Sequence, residues 1–306
     1  MAWSRIEVVI TGSIGIRVGL TAPWVRIPPA PPFVLYVPRD VFLFLRKGRM
    51  NLAFFDIDGT VYSSEIGVVR PAVAQAIANA QAHGTLCCVA SGRSFGFLPQ
   101  AIKDLNFDAY LCCNGAVLYV QNQLWIHDTM QEEDVLNLVK ELEQAHIEYD
   151  LQKWDHSIVK KDYHKLRSYF KSSGISEAVL WEQVDAYDDC VKIEMWMDSQ
   201  KDFDTALRFA KPFSYEVHRE TSHLEFFSPK HTKASAAQVL MDHFKPDKTI
   251  SFGDSLNDLP LAKVVDCSVA MGNAIDALKA QADIIAPSIE EDGVAVVLNQ
   301  WIEGCL

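Results

Sequence analysis

Asp56 and Asp58 close the apolar run Leu52-Ala53-Phe54-Phe55 and are followed at once by Gly59 and Thr60. Residues i and i+2 of an extended chain point the same way, so this spacing aims both carboxylates at one place as the chain leaves a strand. Two carboxylates 4 Å apart repel by about 4 kcal/mol at an effective dielectric of ~20. A hard, oxygen-preferring cation such as Mg²⁺ is the natural counterweight. Gly59 lets the backbone break from the strand without a Cβ clash, and Thr60 adds a hydroxyl able to tie down the turn. An acidic turn at a strand end is the plain alternative, so the pair needs partners elsewhere in the chain.

Three other stretches supply them. The apolar run Thr85 to Ala90 empties into Ser91-Gly92-Arg93-Ser94, a small turn whose free backbone N–H groups and hydroxyl suit a phosphate. Thr249 to Gly253 empties into Asp254-Ser255-Leu256-Asn257-Asp258. Lys233, just behind the capping residue Thr232, opens a helical pattern that runs to Phe244 and can bring a positive charge to the carboxylates. Lys230 is its nearest competitor for that role.

These residues need a scaffold that collects strand ends. Arg70 to His83 has apolar residues at helical spacing, with Pro71 near its start and Gly84 past its end. A helix from about Phe95 to Lys103, a strand from Ala109 to Cys113, and short strands at Ala116 to Val120 and Gln123 to His127 follow. Further short strands are expected at Cys267 to Met271 and Asp283 to Ala286, and a closing helix at Val294 to Ile302. Alternating strands and helices imply parallel βαβ units and a doubly wound α/β sheet. In such sheets ligands bind at the carboxyl edge, where Asp56/Asp58, Ser91/Gly92 and Asp254/Asn257/Asp258 all fall.

Between about 131 and 229 the pattern changes. An amphipathic helix, Glu132 to His146, precedes strands with polar alternation at Glu148 to Gln152, Cys190 to Met197 and Tyr215 to Phe227. Helices at Asp162 to Ser172 and Asp202 to Ala210 lie between them. The expectation is an α+β domain inserted into a core made of 50–130 and 230–306. Five of the nine histidines lie in this part of the chain (His146, His156, His164, His218, His223) and a sixth, His231, just past its end, none in an H-x-x-x-H pair on a helix, so no histidine metal site is expected.

Asp56-Ile57-Asp58-Gly59-Thr60, Ser91-Gly92-Arg93, Lys233 and Gly253-Asp254-Ser255-Leu256-Asn257-Asp258 together resemble the four motifs of the haloacid dehalogenase (HAD) superfamily. Their order and spacing are similar to its Cof-type, large-cap phosphatases, as are Asn114-Gly115-Ala116, Ala270-Met271-Gly272-Asn273-Ala274 and Glu291-Asp292-Gly293-Val294-Ala295. The resemblance implies a HAD-like, Rossmannoid core whose inserted α+β domain acts as a cap. It implies that Asp56 attacks phosphorus to give an aspartyl-phosphate, and that Asp58 protonates the leaving alcohol and then activates water. Mg²⁺ is expected on Asp56, the backbone carbonyl of Asp58, and Asp254, with Asp258 in support. Ser91, Gly92 and Lys233 are expected to neutralise the phosphoryl oxygens. Ile57 and Asn257 complete the expected substrate contacts, Asn257 orienting Lys233 or touching substrate. The dehalogenating relatives lack a second aspartate at position 58, which favours phosphoryl transfer. The expected substrates are small phosphorylated metabolites, sugar phosphates or phosphorylated cofactors. A phosphomutase is the alternative reaction, and an inactive binding or regulatory protein on the same fold is the alternative of another class.

Composition agrees with a globular protein: 306 residues, 49% hydrophobic and 22% charged. The net charge of −12 argues against a nucleic-acid surface. No apolar run reaches the length of a membrane span. Seven cysteines, with no zinc-type spacing, point to free thiols in a reducing cytoplasm. Residues 1–49 stand apart, with seven basic residues against two acidic ones and a Pro28-Pro29-Ala30-Pro31-Pro32 break. Trp24-Val25-Arg26-Ile27-Pro28 is what the T-arm of a transfer-RNA gene would encode, so this leader is expected to be non-native, with translation starting at Met50.

Overall fold

β1 (Asn51–Phe55) forms because its residues are apolar on both sides of the pleat, and it is buried from Leu52 onwards. The computed structural model describes residues 50–63, 67–182, 187–219 and 221–306; the leader 1–49 lies outside the described residues. After β1 come a small antiparallel pair, β2 (Tyr62–Ser63) and β3 (Val68–Val69), then α1 (Pro71–Ala82), with Pro71 in the first turn where no N–H is missed. β4 (Thr85–Ala90) is wholly buried.

The helix expected from Phe95 to Lys103 is split. A single 3₁₀ turn, Phe95–Phe97, is separated from the short α2 (Gln100–Lys103) by Leu98, which is extended at ψ 133°. Pro99 is the cause, since the residue before a proline is driven out of the helical region. β5 (Ala109–Cys112), β6 (Val117–Val120) and β7 (Gln123–His127) follow.

The next segment holds α3 (Glu132–Gln144), β8 (Asp150–Gln152), β9 (Ser157–Val159), α4 (His164–Ser172), β10 (Leu180–Trp181), β11 (Lys192–Trp196), α5 (Gln200–Leu207), β12 (Ser214–His218) and β13 (His223–Phe227). The chain then returns through α6 (Lys233–Phe244), β14 (Lys248–Gly253), α7 (Leu259–Ala262), β15 (Cys267–Ala270), α8 (Asp276–Lys279), β16 (Ile284–Ile285) and α9 (Gly293–Ile302).

The strands form two main sheets. The first has eight strands in the order β16-β15-β14-β1-β4-β5-β6-β7. β16 through β5 run parallel, while β6 and β7 add an antiparallel edge. β1 lies between β14 and β4, so the chain breaks after Phe55, Ala90 and Gly253 side by side on one rim. Ala53 and Phe55 pack with Val73, Ile77 and Ala80 of α1 and Val294, Val297 and Leu298 of α9 in one core. Leu52 and Phe54, equally buried, point to the opposite face.

The second sheet has six strands, β10-β9-β8-β11-β13-β12, all between residues 150 and 227. The single strand expected over Tyr215 to Phe227 is a hairpin of two. One face, with Ile193, Met195, Leu224 and Phe226, packs on α3 and α5 and forms a separate core. The other face carries Lys192, Glu194, His223 and Glu225, all buried, as alternation along a strand requires. Lys192 Nζ donates to the Gly92 carbonyl at 3.3 Å, so this polar face looks onto the rim of the first sheet.

Candidate active site

β1 delivers Asp56. Its amide donates to the Phe252 carbonyl at 2.9 Å, extending the β1–β14 ladder by one residue and holding the carboxyl 6% exposed at the rim. The Ile57 carbonyl then accepts the amides of Thr60, Val61 and Tyr62, which folds the chain back on itself. Ile57 is buried and its carbonyl is spent on this turn, which limits a ligand contact there to its backbone amide. The expected tie from Thr60 is absent: its buried hydroxyl has no hydrogen-bond partner among the described residues.

α6 delivers Lys233. Thr232 caps it through a box in which its hydroxyl accepts from the Ser235 amide while Ser235 Oγ accepts from the Thr232 amide. Lys233 is 1% exposed, and its Nζ lies 2.6 Å from Asp56 Oδ1 and 2.7 Å from Asp258 Oδ1. Lys230 instead pairs with Asp128 at 2.8 Å, away from the site. β14 delivers Asp254 and, one turn on, Asp258, whose Oδ2 accepts from the amides of Asp254 and Ser255 at 3.0 and 3.1 Å.

One carboxylate oxygen from each of Asp56, Asp254 and Asp258 lies within 4.8 Å of the others. Burial, with Asp258 and Asp254 nearby, raises the Asp56 pKa well above the carboxylate range even against Lys233. Burial and Asp258 push Asp254 up to about 7. Burial opposes the Lys233 charge, but Asp258 and Asp56 outweigh it and hold its pKa high. Three carboxyls around one ammonium thus leave a site short of positive charge. Asp254 Oδ1 is buried with no hydrogen-bond partner among the described residues. An all-oxygen set with one orphaned lone pair fits a hard divalent ion. Asp258 has both oxygens engaged, which suits it to hold Lys233 and the 254–255 turn, while Asp56 and Asp254 keep oxygens for an ion.

Asp58 does not join that group. Arg93 clamps its carboxylate in a fork, Nε to Oδ2 at 2.7 Å and Nη2 to Oδ1 at 2.8 Å. The same guanidinium donates to the carbonyls of Phe97 and Ser173. The i, i+2 argument fails here because Asp58 already lies in the turn, past the last extended residue. Ser91 is buried, its amide bonded to the Leu111 carbonyl and its hydroxyl accepting from the Arg93 amide. A Cβ on Gly92 would meet Asn114 Oδ1 at 3.3 Å, so the backbone there approaches its neighbour closely. Asn257 bonds to Asn114 Oδ1 at 3.1 Å and to Ser255, not to Lys233; Asp258 is the residue that orients the lysine.

Sequence reasoning gave no role to Arg93, Asn114, Lys192 or Glu216. Asn114 donates to Glu216 Oε1 at 3.3 Å, linking the first sheet to β12. The available signal was Lys192-Ile193-Glu194-Met195, charged residues alternating with apolar ones within a strand. A cavity of about 450 Å³ opens beside Lys233, lined also by Asn114, Asn257, Tyr215, Glu216 and His231. A larger hollow of about 890 Å³ lies between α3 and β8–β9, and none of the site carboxylates lines it.

Residues 53–298 match the family model of the haloacid dehalogenase-like hydrolases. The chain is 25% identical over 256 residues to the 5-amino-6-(5-phospho-D-ribitylamino)uracil phosphatase YcsE of Bacillus subtilis, covering 83% of this chain and 96% of YcsE. It is 24% identical over 264 residues to the pyridoxal phosphate phosphatase YbhA of Escherichia coli, covering 78% and 94%. Among solved structures, the subclass IIB sugar phosphatase BT4131 superposes with a TM-score of 0.70 at 21% identity, over 82% of this chain and 99% of that one. With strand ends of one parallel sheet bringing Asp56, Asp254 and Asp258 together, the start of α6 adding Lys233, and a family match over most of its length, the chain belongs to the haloacid dehalogenase-like hydrolases.

Proposed function

We propose that this protein is a Mg²⁺-dependent phosphatase that hydrolyses monoesters of small phosphorylated metabolites through an aspartyl-phosphate. The observation that carries this reading is the buried Lys233 held between Asp56 and Asp258, with Asp254 completing a carboxylate cluster short of positive charge. Lys233 holds Asp56 Oδ1, the oxygen that would also be shared with the ion, and leaves the other to attack phosphorus. Attack forms the carboxyl–phosphate bond and expels the alcohol; water then cleaves that bond, returning Asp56 and releasing phosphate. Lys233, the Ser91 hydroxyl and the Gly92 amide offset the phosphoryl charge. When bound by Asp56, the Asp58 carbonyl and Asp254, Mg²⁺ supplies further neutralisation of that charge.

Asp58 serves as the acid that protonates the leaving oxygen and as the base for the water. Both of its oxygens are occupied by Arg93, so proton exchange requires that fork to open. Residues 131–229 act as a cap: the polar face of the second sheet overlooks the Ser91–Gly92 turn and the cavity beside Lys233. Sugar phosphates and phosphorylated cofactors fit relatives named for a sugar, a ribitylaminouracil and pyridoxal. Five buried free thiols support a reducing compartment such as the cytoplasm.

The test is phosphate release from a panel of such esters. Release with Mg²⁺, its loss with EDTA and its return with added Mg²⁺ are expected. Retention of the phosphoryl group on an isomerised product would favour a mutase, and inactivity across the panel would favour a binding protein.

A further inference from the structure

We infer a second metal site, built from His218, His223 and Glu225 on the polar face of the second sheet and suited to a borderline divalent ion such as Zn²⁺. Register makes His218 and His223 a directly opposed cross-strand pair at the end of the β12–β13 hairpin. Their rings stack with centroids 4.2 Å apart and an interplanar angle of 17°. His218 Nε2 and His223 Nε2 each lie 3.6 Å from Glu225 Oε1, and one ligand atom of each of the three residues lies within 4.8 Å of the others.

Those separations discriminate between two kinds of contact. An imidazolium hydrogen-bonded to a carboxylate sits about 2.7–2.9 Å from it. Two ligands each about 2.0–2.2 Å from one tetrahedral ion sit roughly 3.3–3.6 Å apart. Both histidine–glutamate separations fall in the range of ligands to one ion, and the stacked rings have to tilt apart for their lone pairs to converge on it. His218 Nε2 is buried and has no hydrogen-bond partner among the described residues, so its lone pair is left for a ligand.

The surroundings hold the set in place. Thr221 Oγ1 lies 2.8 Å from His223 Nδ1, which fixes that ring and turns Nε2 inward, the usual arrangement behind a metal-bound histidine. Lys192 Nζ binds the other oxygen of Glu225 at 2.7 Å, leaving Oε1 for an ion, and its charge is offset by Glu194 at 3.0 Å. Glu216 Oε2 is 3.7 Å from His218 Nε2, and the Tyr169 hydroxyl is 3.5 Å from His223 Nε2. Two imidazoles and one carboxylate leave a fourth position for water or a ligand oxygen. Nitrogen ligands select against Mg²⁺, so this site and the Asp56–Asp254 cluster would sort different ions.

The experiment is calorimetric titration of Zn²⁺ into the metal-stripped full chain in excess Mg²⁺, with Co²⁺ absorption as a second readout. Neither depends on turnover. One equivalent of Zn²⁺ is expected, with affinity falling on the order of tenfold or more in His218→Ala and in His223→Ala. Zinc X-ray absorption on the unmutated protein should show imidazole scattering, which covers the case of a variant that fails to fold. An absence of Zn²⁺ binding, binding untouched by both substitutions, or an all-oxygen shell would each overturn the site.

Discussion

Gly59 turns the chain at φ +79°, and a Cβ there would run into the Asp254 carboxylate. The left-handed region costs a non-glycine residue about 1–2 kcal/mol, and the displaced carboxylate would add to that. Gly59→Ala is therefore expected to raise the Mg²⁺ concentration needed for half-maximal phosphate release while lowering Tm by a few degrees. An unchanged Mg²⁺ dependence would mean that Asp254 is not a ligand. Lys233 makes a different point. Its charge is matched to two buried carboxylates, and breaking such a pair costs about 3–5 kcal/mol because the remaining charges stay buried. Lys233→Met should lose activity and stability together at neutral pH. Asp56→Asn should behave otherwise: turnover is abolished, while the fold is kept because the neutral amide removes one of the crowded charges. Activity within tenfold of the parent would rule Asp56 out as the nucleophile.

At the scale of elements, periodicity carried far. Apolar runs located β1, β4 and β14, and helical spacing with a capping threonine located α6, because buried parallel strands and capped helices leave local signatures. What was illegible is non-local. The two-residue β10 exists only because it pairs with β9, and the Tyr215–Phe227 stretch hides its hairpin because the turn lacks a two-residue Asn-Gly signal. The Arg93–Asp58 fork joins two loops 35 residues apart, and the His218–His223 pair lies across a hairpin where a helical search would not look. Thr232 is the element whose sequence signal and structural role agree, and it can be tested. Thr232→Ala removes the hydroxyl that satisfies the Ser235 amide in the first turn of α6. A loss of about 1 kcal/mol in urea denaturation is expected; a variant as stable as the parent would mean the cap carries no weight there.

For the whole molecule, each sheet has its own apolar core, and the two parts meet both through polar ties (Lys192 to the Gly92 carbonyl, Asn114 to Glu216, Arg93 to the Ser173 carbonyl) and through apolar contacts of Phe97 with Phe170 and of Trp154 with Phe95 and Tyr119. Thiols record how tightly both cores exclude water. Cys87, Cys88, Cys112, Cys113 and Cys190 are buried, Cys267 is half-buried and Cys305 is exposed. Burial pushes Cys113 and Cys190 from their ordinary 9.0 up to about 12. At neutral pH iodoacetamide should modify Cys305 first and spare the five buried thiols until denaturant is added, as mass spectrometry would read. The same shift ties stability to alkali. Below pH 9 folded and unfolded chains both hold these protons. Between 9 and about 12 only the folded chain does, so the unfolded state is favoured as pH rises, by about 1.4 kcal/mol per pH unit for each thiol. Urea midpoints should fall from pH 9 upwards, and Cys113→Ala/Cys190→Ala should flatten that fall. A double variant with the parent's slope would place the alkaline transition on other groups, Tyr110 among them, whose hydroxyl burial also pushes up to about 12.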